Sequence, residues 1–331
     1  MIGSGAREHA LATRFARDLG AGAVVCTPGN PGIGRVARTV SLDPANVPAL
    51  LELAQQESID LTVVGPELPL SLGIADRFQQ AGRAIFGPIA AAARLETSKA
   101  FAKAFMARHG IPTARFHTAE SLDDARRVVR AGTFGFPVVL KADGLAAGKG
   151  VVIADDLATA DATLRAVMGD RKFGAAGDRV VIEECLRGPE VSFFVISDGT
   201  RAVPIGTAQD HKRVFDDDRG PNTGGMGAFA PSPLVTDAMS RRVMREIVEP
   251  VIAGMAAEGH PFRGFLYVGL MLTDSGPKVI EFNVRLGDPE TQPLMHRMQS
   301  DFLPALLAAA EGRIAGERLQ WRTGQIGRAH V

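Results

Sequence analysis

The chain has 331 residues, of which 46% are apolar and 22% are charged, a composition typical of a water-soluble globular protein with about two domains. Lysine plus arginine and aspartate plus glutamate both number 37, which argues against a protein that binds nucleic acid or membranes through its overall charge. Cys26 and Cys185 lie far apart without a CxxC spacing, which argues against a zinc cluster or disulfide scaffold and favours a reducing, cytoplasmic location. The longest apolar run, 265–272, is too short to predict a transmembrane helix.

The first hundred residues alternate short apolar runs with helical segments. The patterns predict strands over 24–27, 61–64 and 84–86, each ending at a glycine or proline turn, and helices over 10–19, 47–57 and 73–81. This alternation predicts a parallel sheet with a binding site at the carboxyl ends of its strands, although each turn could also be simple punctuation.

The turn over 3–10 is typical of a phosphate-binding connection between a strand and a helix. It matches the GxGxxG pattern poorly, because Glu8 holds the third glycine position. Only Met1 and Ile2 precede the turn, so we expect the first strand to be truncated.

A glycine-rich hairpin dominates the middle of the chain. The sequence predicts a helix over 95–109 that carries Lys99 and Lys103, and lysines on a helix usually face solvent. A small unit over 113–186 follows, with strands near 114–116 and 180–182, helices over 122–131 and 157–168, and hairpin strands 136–140 and 151–153.

The hairpin loop, 140–150, has a lysine near each end, and its glycines allow main-chain N–H groups to approach an anion. It is not a Walker A loop, because Gly144–Gly148 is one residue short and Gly150 replaces the serine or threonine. A glycine-rich turn between two strands can also be purely structural.

Two further stretches carry polar residues at strand ends. Glu183 and Glu184 end a strand and lead into the turn Gly188-Pro189, a suitable place to bind the edge of an adenine and a ribose. Acids at the end of a strand are otherwise ordinarily solvated. The stretches 209–213 and 220–227 bracket an acidic run, 216–218. The whole segment is too long and too rich in glycine for packing material, and we predict a long functional loop there. A helix over 236–258, kinked or split at Pro250, follows.

The predicted return strand over 278–286 has two distinct faces. Ile280, Phe282 and Val284 face one way and Glu281, Asn283 and Arg285 the other. A carboxylate and an amide about 6.6 Å apart can converge on Mg²⁺, and an adjacent arginine can bridge phosphate. A merely solvent-facing polar face is the alternative, but it would not explain the turn 287–293 that follows.

Taken together, these stretches resemble the ATP-grasp superfamily and, within it, the phosphoribosylamine–glycine ligases (glycinamide ribonucleotide synthetases). The resemblance follows family order, covers the chain to about residue 310, and rests on the stretches 3–10, 65–67, 141–150, 209–213, 220–227 and 281–293. It implies an α/β fold, partly α+β, with an N-terminal parallel-sheet domain over 1–99 and a two-lobed ATP-grasp domain over 100–312 that includes a lid over 113–186. It further implies that 313–331 is the stub of a truncated C-terminal domain, and we interpret 325–331 as foreign sequence.

The resemblance also implies the chemistry. Glycine and 5-phosphoribosylamine would be joined in de novo purine biosynthesis through glycyl phosphate, with ATP as co-substrate and Mg²⁺ or Mn²⁺ as the metal. A cytoplasmic monomer without nucleic-acid or membrane partners is expected.

The family's functional residues carry over by position. The catalytic candidates are Arg285, Lys141 and, less securely matched, Asp288 for the glycine ammonium. ATP would contact Lys99, Lys141, Gly144, Ala147, Gly148, Lys149, Gly150, Glu183, Glu184, Cys185, Leu186 and Glu190, and the metal would contact Glu281 and Asn283. The phosphoribosylamine site would comprise Gly3, Ser4, Gly5, Arg7, Glu8, Pro28, Gly29, Asn30, Gly65, Pro66, Glu67, Asp210, Lys212, Gly225, Met226 and Gly227.

One departure concerns Ala6, which stands where the family has a second glycine, so a close phosphate approach is not expected at that residue. Two alternatives stay open at this point. One is an ATP-grasp ligase of purine synthesis that uses formate or bicarbonate, against which 209–213 and 220–227 argue. The other is a nucleotide-binding fragment without turnover.

Overall fold

The structure is a computed structural model that describes residues 1–145, 150–215, 219–314 and 319–329. The chain divides into two compact units. Unit 1 comprises 1–93, 191–268 and 283–331, and unit 2 comprises 94–190 and 269–282. Among the described residues, no helix combines the length and apolar character needed to cross a bilayer.

In chain order, the strands are β1 (Ile2–Gly3), β2 (Val25–Pro28), β3 (Arg38–Thr39), β4 (Thr62–Val63), β5 (Ile85–Phe86), β6 (Phe116–Ala119), β7 (Val138–Ala142), β8 (Val151–Ala154), β9 (Val180–Glu184), β10 (Glu190–Asp198), β11 (Ala202–Phe215), β12 (Arg219–Ala230), β13 (Arg263–Thr273), β14 (Gly276–Asn283) and β15 (Ile326–Ala329). The helices are α1 (Ala6–Leu19), α2 (Val47–Gln56), α3 (Glu67–Ser71), α4 (Ile74–Gln80), α5 (Ala90–Thr97), α6 (Lys99–Arg108), α7 (Leu122–Arg130), α8 (Leu157–Leu164), α9 (Asp237–Val243), α10 (Glu249–Ala257), α11 (Thr291–Arg297) and α12 (Leu303–Ala310).

The N-terminal part of unit 1 is a parallel sheet, as the alternation of strands and helices predicts. Strands β1, β2 and β3 pair in parallel, as do β4 and β5, and a bridge from Ile2 to Val64 links the two groups. Apolar side chains of α1, such as Leu11 and Phe15, pack in the core with Cys26. The turns after β1, β2 and β4 therefore come to the same edge of the sheet.

Two helices in this region differ from the sequence prediction. Residues 65–70 are predicted as a turn, but α3 begins at Glu67, directly after Pro66. The predicted helix over 95–109 is wrong in its extent, because the helix is interrupted at Ser98, between α5 and α6. The Ser98 hydroxyl accepts a hydrogen bond of 3.1 Å from the N–H of Phe101, so it caps α6.

Unit 2 is built on a four-stranded antiparallel sheet with the strand order β6-β9-β7-β8. The predicted hairpin is confirmed, since β7 and β8 pair from Val138 with Ala154 to Lys141 with Val151. Helices α7 and α8 contribute apolar side chains to the same core as β7 and β9. The predicted strand over 114–116 lies two residues later, at β6.

The predicted long loop over 209–227 is wrong. Most of these residues belong to β11 and β12, which pair antiparallel from Gln209 with Phe229 to Phe215 with Arg219, with two register shifts. Glycines are weak strand formers, so their pairing in this hairpin depends on the partner strand rather than on local preference. The strands extend the sheet order β14-β13-β10-β11-β12-β15, in which Ala230 pairs with Ile326.

The helical segment predicted over 236–258 is observed over 237–257, whereas the predicted end of β14 needs correction. Helical residues continue from α9 to α10 through a wide turn at Met244–Val248, just before Pro250. A wider turn leaves room for a proline that cannot donate a backbone hydrogen bond. Strand β14 ends at Asn283, so Arg285 lies beyond the strand on which it is predicted.

A buried ion pair joins α1 to the segment 298–302 within unit 1. The Arg14 guanidinium lies 2.7 Å from the Asp18 carboxylate, and both side chains are nearly inaccessible. Arg14 also donates hydrogen bonds to the carbonyls of Met298 and Ser300, at 2.8 and 2.7 Å. Asp18 accepts one of 2.9 Å from the N–H of Phe302. The pair therefore supplies hydrogen bonds to three backbone groups of this segment.

We predict that Asp18→Ala lowers the free energy of unfolding by about 3–5 kcal/mol, because it leaves the Arg14 charge buried without its carboxylate. Glu246→Ala is the matched control, since Arg242 and Glu246 have the same i,i+4 spacing but are partly exposed. The control should change stability little. Urea unfolding of both variants measures the difference, and equal losses would contradict the prediction.

Candidate functional site

A buried carboxylate between two lysines forms the centre of unit 2. The Nζ atoms of Lys103 and Lys141 lie 2.9 and 3.1 Å from the two carboxylate oxygens of Glu183. The three side chains are between 3 and 7% exposed. Lys103 also donates to the Thr113 hydroxyl at 2.7 Å, and Lys141 donates to the carbonyl of Ile280 at 3.0 Å. We call Lys103, Glu183 and Lys141 the lysine–glutamate cluster.

The cluster carries one more positive than negative charge when both lysines are protonated. Burial lowers the pKa of Lys103 from 10.5 to about 8, because the protein interior solvates an ammonium poorly. The negative charge of Glu183 opposes this shift, and the positive charge of Lys141 adds to it. The arrangement favours an anion that would neutralise the surplus charge.

Lys99 lies at the start of α6 and reaches toward the hairpin loop. Its ammonium donates a hydrogen bond of 2.9 Å to the carbonyl of Gly144. Burial lowers the pKa of Lys99, and the nearby charges of Glu281 and Asp143 act in the opposite direction. Lys99 is therefore held beside the first residues of the loop that is predicted to cover ATP.

Asp143 fixes the start of that loop against α6. Its carboxylate lies 2.6 Å from Arg179 and accepts hydrogen bonds from the Ser98 hydroxyl, at 3.0 Å, and the Ala100 N–H, at 3.1 Å. Gly144 follows with a positive φ of 133°, which a residue with a side chain would rarely adopt. The predicted ATP contacts Ala147, Gly148 and Lys149 lie outside the described residues, and Gly150 accepts a hydrogen bond of 2.8 Å from Ala142 N–H.

The predicted adenine segment lies at the end of β9. Glu184 pairs with Arg115 at 2.7 Å and lies 3.6 Å from Lys278. Burial acts to raise the pKa of Glu184, but the hydrogen bonds from Arg115 outweigh it and lower the pKa. Cys185 and Leu186 follow the strand with half-buried side chains, and Glu190 is exposed at the start of β10.

The two predicted metal ligands lie on alternate residues at the end of β14. Glu281 and Asn283 are both half-buried. The Arg285 guanidinium lies 3.4 Å from the Asn283 amide oxygen. A carboxylate and an amide oxygen are the hard ligands that Mg²⁺ takes, so the donor chemistry fits the predicted metal.

Glu8 occupies the glycine turn at the N-terminus of α1. Its carboxylate accepts a hydrogen bond of 2.6 Å from the Gly5 N–H and lies 2.6 Å from the Arg7 guanidinium. A Cβ atom added at Gly3, Gly5 or Gly65 would lie within 2.7 Å of a Glu8 side-chain atom. The turn therefore encloses a carboxylate of the protein itself, and the Gly5 N–H that could hold a phosphate is already used.

The other turns of unit 1 lie around this one. The Asn30 amide donates to the carbonyl of Ser4 at 2.7 Å, and Gly29, after Pro28, donates through its N–H to Gly3 at 3.2 Å. Gly65 donates through its N–H to Ile2 at 2.9 Å. The three turns predicted to bind phosphoribosylamine are thus brought together by the parallel sheet.

Asp288 and Arg285 lie against the same turns. Asp288 accepts hydrogen bonds from the Arg7 N–H, at 3.0 Å, and from the Gln292 amide, at 2.7 Å. The Arg285 guanidinium lies 3.4 Å from the Glu67 carboxylate. These contacts all lie within unit 1, so candidates far apart in sequence share one region.

Of the residues predicted in the β11–β12 hairpin, only some lie close to these turns. A Cβ atom at Gly225 would lie 2.6 Å from Pro289, so the backbone there passes close to the turn after β14. Asp210 and Gly227 lie within the hairpin pairing, and Met226 is 39% exposed. The side chain of Lys212 lies outside what the structure describes.

Sequence reasoning missed three residues. The expectation of a solvated face is wrong for Lys103, which is 2% exposed. Its position on the same α6 face as the apolar residues Ala100 and Met106, three residues away on either side, was the available signal. Asp143 and Gln292 lie within the stretches 141–150 and 281–293, but the local pattern does not show which groups their side chains contact.

We predict that the stability difference between the wild type and Lys103→Met depends on pH. Below pH 8 the lysine is protonated in both the folded and unfolded states, and the difference is constant. Between pH 8 and 10.5 the unfolded state binds more protons, so the wild type gains stability relative to the variant, by up to about 3 kcal/mol. Urea unfolding at pH 7 to 10.5 measures this, and a constant difference would refute it.

We also predict that Gly65→Ala destabilises the protein by roughly 1–3 kcal/mol, because the added methyl group displaces the Glu8 carboxylate. Gly34→Ala is the control, since a Cβ there meets no atom within 4 Å. Glu8→Ala combined with Gly65→Ala should cost less than the sum of the single changes. Strict additivity in thermal or urea unfolding would show that Glu8 is not the obstacle.

Comparisons with known proteins show which family the chain resembles. The sequence profile of the phosphoribosylglycinamide synthetase N domain matches residues 1–96, and that of the ATP-grasp (A) domain of the same family matches residues 97–291. Phosphoribosylamine–glycine ligase of Xanthomonas axonopodis pv. citri is 55% identical over 324 residues, and that of Escherichia coli K12 is 51% identical. Each alignment covers 97% of this chain and 75% of the relative.

Solved structures give the same result. Phosphoribosylamine–glycine ligase of Thermotoga maritima superposes with a TM-score of 0.85 at 35% identity, over 99% of this chain and 78% of the other. The biotin carboxylase of Campylobacter jejuni, solved in complex with β,γ-ATP, gives a TM-score of 0.75 at 16% identity, over 98% of this chain and 73% of the other, a likeness of fold alone. The predicted resemblance is confirmed, and the chain belongs to the phosphoribosylamine–glycine ligase family, ATP-grasp ligases of de novo purine biosynthesis.

Proposed function

We propose that this chain joins glycine to 5-phosphoribosylamine at the expense of ATP. The glycine carboxylate attacks the γ-phosphorus of ATP, which forms glycyl phosphate and releases ADP. The amine of phosphoribosylamine then attacks the carbonyl carbon, an amide bond forms, and phosphate leaves. Membership of the family supports the reaction, and the lysine–glutamate cluster is the observation that supports its location.

The cluster supports ATP binding through its charge. Lys103 and Lys141 share the single carboxylate of Glu183 in a buried environment, and phosphate oxygens could neutralise the surplus positive charge there. Lys99, held at the carbonyl of Gly144, supplies a further ammonium at the hairpin loop. We propose that Lys99 and Lys141 contact the ATP phosphates and that Lys103 fixes Glu183 in place.

The other ATP contacts are proposed from the family pattern and the local structure. Residues Glu183–Leu186 would hold the adenine where β9 ends, and Glu190 would reach the ribose. The backbone between these sites turns at Gly188, whose φ of 146° permits the close approach to Leu272. The loop over 144–150 would cover the phosphates.

We propose that Glu281 and Asn283 hold the divalent metal, Mg²⁺ or Mn²⁺, through their side-chain oxygens. Such an ion neutralises phosphate charge when it is bound. Arg285 would stabilise charge on the transferring phosphoryl group, and Glu67, 3.4 Å away, would orient its guanidinium. Asp288, held by the Arg7 N–H and the Gln292 amide, would accept the glycine ammonium.

The turns around Glu8 would bind phosphoribosylamine. Because Glu8 already uses the Gly5 N–H, this turn is better suited to ribose hydroxyls than to the phosphate. The chemistry needs positioning and charge neutralisation rather than a protein nucleophile, in agreement with the groups that these turns supply. A cytoplasmic location and a monomeric state stay predictions from the sequence.

The test measures ADP release with glycine, with phosphoribosylamine and with both. We expect turnover only with both substrates, and a reduction of at least roughly a hundredfold for Glu281→Ala, the loss typical of one electrostatic stabiliser. Glu120→Ala, an exposed acid in unit 2, is the matched control and should keep full activity.

Three outcomes would contradict the proposal. ADP release that does not depend on both substrates would exclude the ligase reaction as written. Turnover with formate or bicarbonate in place of glycine would indicate another ATP-grasp ligase of purine synthesis. ATP-dependent thermal stabilisation without ADP formation would indicate a nucleotide-binding module.

A further inference from the structure

Unit 1 contains a pocket to which the proposed reaction assigns one lining residue, Gln292, through its hydrogen bond to Asp288. It lies between α1 and α11, has a volume of about 340 Å³, and extends along α1 away from the Glu8 turn. Its polar lining includes His9, Thr13 and Arg17 from α1, Gln292 and His296 from α11, and Arg322.

The lining is basic. Arg17 and Arg322 are exposed. Neither guanidinium forms an ion pair with an acidic side chain among the described residues. Arg14 also borders the pocket, but its charge is compensated by Asp18. Within the described part of the chain, no acidic side chain lines the pocket. Two guanidinium groups without an ion-pair partner among the described residues, on a lining that also carries imidazole and hydroxyl groups, are suited to a phosphate group.

Gln292 adds a second, independent observation. Its side chain is 8% exposed, and its Nε2 atom donates to Asp288 at 2.7 Å. Its Oε1 atom is buried and has no hydrogen-bond partner among the described residues. Gln292 lines the pocket. A buried carbonyl oxygen without a donor costs free energy, so a bound ligand whose O–H or N–H group reached this atom would be stabilised.

We propose that this pocket binds a phosphate group that carries a hydrogen-bond donor, either inorganic phosphate or a sugar phosphate. The arginines and histidines would bind the charged oxygens, and Gln292 Oε1 would accept from the P–OH group or from a neighbouring hydroxyl. The hydrogen bond from Gln292 to Asp288 would link the occupied pocket to the turn that holds Arg7.

The sole tryptophan of the chain, Trp321, provides a local signal, because it precedes the pocket residue Arg322. Its fluorescence is titrated with inorganic phosphate, ribose 5-phosphate and sulfate at constant ionic strength. We expect a saturable change with inorganic phosphate or ribose 5-phosphate and a weaker one with sulfate, which has no donor at neutral pH. A lower dissociation constant for one of the two phosphates identifies the source of the group.

Variants test the residues. Arg17→Gln should weaken phosphate binding by roughly tenfold, the effect of losing one charge-assisted hydrogen bond. Arg77→Gln, an exposed arginine on α4 outside the pocket, is the matched control and should bind normally. Gln292→Leu should remove the preference for phosphate over sulfate. Circular dichroism and thermal unfolding check that each variant folds.

Two results would overturn the proposal. One is a fluorescence response that does not saturate or that is equal for phosphate and sulfate. The other is an affinity that Arg17→Gln and Arg77→Gln change equally. Neither result depends on ligase turnover, so failure of phosphate binding is distinguishable from failure of the proposed reaction.

Discussion

The interaction between Glu183 and its two lysines is the constraint on which the candidate ATP site depends. A lysine buried alone would lose its proton or destabilise the fold, and a glutamate buried alone would gain a proton or do the same. Lys103 comes from α6, whereas Glu183 and Lys141 come from the paired strands β9 and β7. The contact at 2.9 Å therefore ties a helix to the sheet, the contact at 3.1 Å joins two strands of that sheet, and together they leave a surplus positive charge for an anion.

A similar principle operates in unit 1, where a carboxylate of the chain occupies a turn that looks open in sequence. Glycines at positions 3, 5 and 65 leave room for the Glu8 side chain rather than for a ligand phosphate. The N–H of Gly5 and the guanidinium of Arg7 compensate the buried charge. The glycine pattern thus has a steric cause that differs from the cause in dinucleotide-binding turns.

Local patterns were sufficient where neighbouring residues in the chain determine the structure. The alternation of strands and helices over the first hundred residues, the hairpin of β7 and β8, and the two-faced strand β14 depend on periodicity and turn residues. The first two of these were predicted close to their observed bounds, whereas β14 ends three residues before the predicted end. The family resemblance was also present in the order of the motifs, and the comparisons confirm it.

By itself, the sequence determined the fold class, the family and the candidate residues, because hydrophobic periodicity and motif order are properties of short stretches of chain. Only the tertiary structure decided that Lys103 is buried, that Glu8 fills the glycine turn, and that 209–215 and 219–227 lie in paired strands. Each of these depends on a partner distant in sequence: Glu183 for Lys103, Gly65 for Glu8, and strand β15, which pairs with the end of β12, for the hairpin. Burial and long-range pairing override local preference, and a single sequence does not record which distant groups meet.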